Sequence, residues 1–200
     1  KSLSVHLGMS IFRVFMALFG AIFLAVPLGI FVAINDYIKG IVDPFIEFYR
    51  PLPPLAYLPL IIIWFGVGEL SKFLLIFLAI FAPIFLNTRA GVKNIPQERV
   101  NAAMSLGASR WHLITSIIFP SSLYSILTGI RIGTGFGWTT LVAAEMVAAT
   151  SGLGHMILSA SEFLQTEVVI LGIIIIGILA FAIDLFMRKL IEKYVHWSGR

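Results

Sequence analysis

The sequence predicts an all-α, polytopic transmembrane helix bundle of about five spans. Three observations predict it. Of 200 residues, 59% are hydrophobic and 12% are charged, against about 25% charged residues in soluble domains, and the mean hydropathy is +0.99. Uncharged stretches recur at close to the ~20 residues that a helix needs to cross ~30 Å of hydrocarbon. Lysine and arginine gather in alternate connecting segments, the pattern of cytoplasmic membrane loops. The same composition narrows function. There is no cysteine, which removes disulfide frameworks, thiol catalysis and cysteine metal sites. A net charge of +4 reads as loop cations facing lipid headgroups rather than as a nucleic-acid surface.

Span A covers residues 14–34, between Arg13 and Asn35, with Pro27 inside it, a placement bundled membrane helices tolerate. Residues 35–50 carry Asp36, Lys39, Asp43, Glu47 and Arg50 and form a polar loop or surface helix. Span B, residues 53–67, follows Pro51 and contains Pro53, Pro54 and Pro59. Proline lacks an N–H and clashes with the preceding turn, so this span is broken or bent. Glu69, Ser71 and Lys72 form a short turn before span C, residues 73–88, which contains Pro83. A polar stretch from Arg89 to about Pro120 leads to span D, residues 122–148, with Arg131 and Glu145 inside. A Gly/Ser/Thr-rich segment with Gly152 and Gly154 precedes span E, residues 168–187, interrupted only by Asp184. The whole chain, 1–200, reads as one membrane domain.

Five spans put alternate connections on opposite sides. Segments 35–50, 89–121 and 188–200 share one side and hold ten Lys/Arg, against three on the other. The first side is therefore expected to be cytoplasmic. The amino terminus then lies outside. Because the chain opens on Lys1 rather than Met, a further span is expected upstream.

The segment NAAMSLGASRWHLITSIIFP, residues 101–120, is a semi-polar stretch of helix length on the cytoplasmic side. Two short helices can be drawn through it. The first spans residues 97–106 after Pro96, a residue suited to a helix start. The second spans 109–119, with Ser109 as its cap. Gly107 between them can take the left-handed backbone conformation. Ala102 and Ala103 keep the first helix slim, and Arg99 and Arg110 flank it. Two readings stand from the pattern: a plug that docks into another protein, or an amphipathic helix lying on headgroups.

The spacing Ala102-Ala103, three residues, Gly107, nine residues, Ile117, with Pro120 three further on, resembles the signature of permease subunits of binding-protein-dependent ABC importers. The family pattern is Glu-Ala-Ala, three residues, Gly, nine residues, Ile-x-Leu-Pro. Here Asn101 stands in the Glu place and Phe119 in the Leu place, which removes a charged contact at Asn101. Segments 49–72, 79–93, 127–150 and 152–173 are similar to the branch that imports taurine, aliphatic sulfonates and nitrate, its taurine members most of all. The resemblance implies a type I importer fold and a permease that moves a small sulfonate, taurine foremost, by alternating access across the bacterial inner membrane. Nitrate, bicarbonate or a pyrimidine precursor is the alternative solute, and an ion-coupled carrier the alternative class. It implies a second permease copy, two cytoplasmic ATPase subunits and an external solute-binding protein as partners. It assigns ATPase coupling to Glu98, Arg99, Asn101, Ala102, Ala103, Leu106, Gly107, Ala108 and Arg110. Segment 150–167 would face the binding protein as a gate or docking surface, or simply connect two spans.

No Ser-His-Asp or paired-carboxylate arrangement is present, so no catalytic residue is assigned and the chain reads as a transport subunit, not an enzyme. The loop GxxxxGK[ST] is absent, so ATP and Mg are expected on the partner ATPase and no cofactor or metal on this chain. His6, His112, His155 and His196 are isolated in sequence. Arg131 is the most informative intramembrane residue. An arginine there costs about 2.5–3.5 kcal/mol on insertion scales, so it must face protein or water. It either offers charge to an anionic solute or closes an internal salt bridge. Trp138 and Thr139, with Thr140, form a pore-lining or packing cluster. Glu145 is a further path candidate or the partner of an internal pair. Asp184 can pair with Arg188 four residues on. Gly129, Gly133 and Gly137 make a smooth strip, expected against a second copy or span B.

Overall fold

The structure, a computed structural model, describes residues 2–195. His196 lies outside them. The described chain is helical throughout. Helix α1 (Leu3–Ile34) is followed by α2 (Asp36–Tyr49), a 3-10 turn (Pro54–Tyr57) and α3 (Leu58–Phe65). Next come α4 (Glu69–Lys93), α5 (Gln97–Ser105) and α6 (Arg110–Leu113). Helix α6 passes through a π turn (Ile114–Ile118) into α7 (Phe119–Ala148). Helices α8 (Leu153–Glu162) and α9 (Thr166–Tyr194) complete the fold.

Four helical stretches are long and apolar enough to cross a membrane, and a fifth span forms if the bent pair is counted as one. That pair, Asp36–Tyr49 and Pro54–Phe65, bends by 93°, as the proline cluster predicts. The polar segment 35–50 is therefore helical and, where the pair counts as one span, forms the first limb of span B. Asn35 ends α1 and starts α2, accepting from Tyr37 and Ile38 N–H with its side chain. Tyr49 donates to the Leu78 carbonyl, and Arg89 pairs with Asp43, tying the bent span to α4.

Helix α4 is the centre of the bundle, with α1 along one side and α7 along the other. Lipid is as apolar as leucine, so close backbone approach and dispersion must hold such helices together. The sequence supplies it with small residues. Ala17, Ala21 and Ala25 are fully buried on α1. On α7, a Cβ at Gly129 would sit 2.7 Å from Asn87 Cβ, and one at Gly133 would sit 3.0 Å from the Ile80 carbonyl oxygen. The glycine strip thus packs on α4, which is span C. The expectation that it meets span B or a second copy is corrected by this contact. Ile76, Ile80, Ile84 and Phe85 fill the space between.

Other boundaries also shift. Span A continues outward to Leu3, so Arg13 lies inside a helix. Glu69, Ser71 and Lys72 are the first turn of α4 rather than a separate turn. Segment 150–167 contains α8. The second short helix of the 101–120 segment is continuous with span D as one stretch, Arg110–Ala148. Pro120 does not break it. The π register lets the Phe119 N–H reach the Ile114 carbonyl just before the proline, where the helix must tolerate a missing donor.

Candidate functional site

Three places concentrate polar chemistry: an elbow at one end of the bundle, a clamp at the other, and a cleft between α7 and α9.

The elbow is built by backbone geometry. Helix α5 ends in a Schellman motif: Ala108 N–H donates to the Ala103 carbonyl at 3.1 Å, and Gly107 N–H to the Met104 carbonyl at 2.9 Å. Gly107 sits at φ +82°. A Cβ there would meet nothing within 4 Å, so conformation and not space requires glycine. Ser109 then caps α6, its hydroxyl accepting from His112 N–H at 3.3 Å. Glu98, Arg99, Asn101, Ala102, Leu106, Gly107 and Arg110 are exposed, while Ala103 and Ala108 are half-buried on the inner side. Leu106 is 89% exposed and Trp111 69%. Trp111 and the exposed Met104 escaped sequence reading because apolar residues in an apolar chain give no signal. Leu113 and Ile118 are buried and root the elbow in the bundle. A hollow of about 760 Å³ separates it from the ends of α1 and α4.

The clamp gathers α1, α4, α7 and the start of α8 around one arginine. Arg13, 4% exposed, donates Nε and Nη2 to Glu69 and Nη1 to Glu145, each at 2.7 Å. Nη1 also donates to the Ser151 carbonyl. Ser10 donates to Glu145, and Gly154 N–H donates to Glu145 Oε2 at 2.9 Å. Leu153 N–H donates to Ser10 Oγ, and Lys72 pairs with Glu69. The carboxylate of Glu145 thus meets both a guanidinium and the amino end of α8, where the helix dipole favours negative charge. Gly152 lies against it at φ +130°, where a Cβ would fall 2.2 Å from the Glu145 carboxyl carbon. Glu145 is therefore enclosed in an internal pair and lines none of the described hollows. The sequence signal for Arg13 was available: His6, Ser10, Arg13, Ala17 and Ala21 share one helix face. His6 stacks on His155 with ring centroids 6.0 Å apart, so these two histidines are isolated only in sequence. No group of three metal-ligating side chains occurs among the described residues.

The cleft, about 440 Å³, is lined by Arg131, Trp138 and Thr139 of α7 and Asp184 of α9, with apolar walls. Arg131 donates Nε to Asp184 Oδ1 at 2.5 Å and Nη2 to Oδ2 at 3.0 Å. The internal salt bridge is thus formed, and within a cavity. Arg188 also reaches Asp184, at 3.1 Å. Exposed residues Tyr124, Ile132, Phe136 and Thr139 form a stripe along α7. On its other flank a hollow of about 300 Å³ is lined by Tyr49, Arg50, Tyr57 and Asn87 at the bent span. Three of the four path candidates, Arg131, Trp138 and Thr139, therefore meet in one place, and Glu145 lies elsewhere.

A family model described as the binding-protein-dependent transport system inner membrane component matches residues 25–195. The chain belongs to this family. The taurine transport system permease protein of Escherichia coli (strain K12) is 54% identical over 194 residues, spanning 97% of this chain and 70% of that protein. A putative aliphatic sulfonates transport permease protein of Bacillus subtilis (strain 168) is 37% identical over 195 residues, with 97% and 70% covered. A structure of the MetNI methionine ABC transporter in an inward-facing conformation has the same fold, with TM-score 0.82, 15% identity and 93% of each chain covered. The chain is thus an inner-membrane permease of an ABC importer, a transport subunit rather than an enzyme. Membership implies ATPase and solute-binding partners.

Proposed function

We propose that this permease imports a small sulfonate, taurine foremost, and that two copies form the path between them. The observation that carries the mechanism is the single helical stretch Arg110–Ala148. It joins the exposed elbow directly to the residues of the cleft. At 1.5 Å per residue it is a lever roughly 58 Å long. The elbow's exposed Leu106 and Trp111, flanked by Arg99 and Arg110, suit a groove on the ATPase, with apolar anchors and charges at the rim. ATP and Mg act on that partner. When two ATPase subunits close, the elbows approach each other and α7 tilts, so the stripe holding Ile132, Phe136 and Thr139 exchanges inward for outward exposure. The sulfonate assignment rests on the 54% and 37% identities to taurine and sulfonate permeases.

The test is reconstitution of permease, ATPase and binding protein in proteoliposomes. Taurine is expected to stimulate ATP hydrolysis and to accumulate inside, with nitrate inert. Stimulation by nitrate and none by taurine or an alkanesulfonate would overturn the sulfonate assignment.

A further inference from the structure

The α7–α9 cleft holds hydrogen-bonding capacity that its own ion pair does not use. Resting on the sulfonate reading, we propose that this cleft binds a short zwitterionic sulfonate, the sulfonate on Arg131 Nη1 and Trp138 Nε1 and the ammonium on Asp184.

Trp138 is 4% exposed, and its Nε1 is buried with no hydrogen-bond partner. An indole N–H is a donor only, and buried donors are almost always paired. The cleft's other polar side chains are committed. Thr134 donates to the Ile130 carbonyl and Thr139 to the Phe136 carbonyl. Arg131 is only half committed: Nε and Nη2 hold Asp184, and Nη1 donates to nothing among the described residues. Two donors without a partner among the described residues, one of them charged, therefore belong to residues lining the cavity; the indole N–H has no accessible surface in this structure, so a ligand reaches it once Trp138 turns toward the cleft. Arg131 and Trp138 are seven residues apart on α7 and so share a face. Asp184 keeps lone pairs beyond those taken by Arg131 and by Arg188, whose side chain is exposed and displaceable.

Charge decides which anion fits. With the exposed Arg188 displaced toward solvent, the Arg131–Asp184 pair is neutral as a unit, so a simple anion gains from the arginine and loses to the carboxylate. A zwitterion lays its own dipole head-to-tail against the pair and gains at both ends. Ile176, Ala180 and Ile183 make an apolar wall for its carbon stem and lower the local screening, which strengthens both contacts. The volume of about 440 Å³ lies within the ~300–1,000 Å³ of small-molecule sites.

The test is equilibrium binding of radiolabelled taurine to the purified permease–ATPase complex without binding protein, competed by ethanesulfonate, which has the same stem and no ammonium. Saturable taurine binding is expected, with ethanesulfonate weaker by about tenfold or more. Trp138→Phe, which removes the indole N–H together with part of the ring system, should weaken taurine by about fivefold or more. Asp184→Asn should bring the two ligands to similar affinity. The double variant Arg131→Gln/Asp184→Asn keeps a neutral hydrogen-bonded pair between α7 and α9, and should lose binding while the complex stays monodisperse. Unchanged taurine binding in Trp138→Phe and the double variant would overturn the proposal, as would equal affinities in the unsubstituted complex. If that complex binds no taurine while the full assembly imports it, the cleft assignment alone falls. If the full assembly imports no sulfonate, both readings fall.

Discussion

Replacing Glu145 by Leu, alone and together with Arg13→Met, measures how strongly the clamp holds the bundle. Glu145 is fully buried and Arg13 nearly so. Removing one partner of such a pair costs about 3–5 kcal/mol, because the other charge stays buried and unpaired. Here Glu69 keeps its two contacts with Arg13, which puts Glu145→Leu near the lower end, about 3 kcal/mol. The double variant removes both charges and leaves Glu69 paired with Lys72. Its residual penalties are the Gly154 N–H and Ser10 hydroxyl, which now donate to Glu145 and are orphaned in Glu145→Leu as well, and the Ser151 carbonyl, which now accepts from Arg13; each orphaned buried group is worth about 1–3 kcal/mol. The double variant should therefore be more stable than Glu145→Leu alone by roughly 1 kcal/mol, beyond the ~0.5 kcal/mol scatter of additive pairs. The assay is reversible unfolding in mixed micelles, followed by circular dichroism, completed as a cycle with Arg13→Met. If the double variant loses the sum of the two single losses, the clamp is not a coupled pair and the reasoning fails.

Two further outcomes follow from backbone geometry. Gly107→Ala should strain the Schellman turn by about 1–2 kcal/mol without any steric clash, since the site is open; Gly107→Asn should do less harm, and ATPase co-purification should fall in that order. Gly133→Val should disrupt the α4–α7 contact against the Ile80 carbonyl at a cost of about 1–3 kcal/mol or more. Gly135→Ala, two residues on and open to space, should leave the unfolding midpoint in place.

The architecture was largely legible because its causes are local. Span-length apolar runs, the proline cluster 51–59 and the left-handed Gly107 act within a few residues, and each produced the element expected of it. What stayed hidden depends on contacts between distant segments. Arg13 looked like the edge of span A because a charge at a lipid boundary is commonplace. Only folding brings it to Glu145, 132 positions away. Asp184 read as a partner for Arg188 on its own helix. The bidentate contact with Arg131 needs α7 and α9 side by side, which periodicity does not encode. The glycine strip announced a close helix contact but not its partner, since α4 carries no matching small-residue signature opposite it.

The most direct test of the account places single cysteines at the two ends of the cysteine-free chain. Leu106 on the elbow and Leu164 beyond α8 are each 89% exposed. In intact cells carrying the whole assembly, Leu106→Cys should cross-link to the ATPase and resist impermeant thiol reagents from outside, and Leu164→Cys should do the reverse. Labelling of Leu106→Cys from the external face, or its failure to reach the ATPase, would contradict the elbow's role in driving transport.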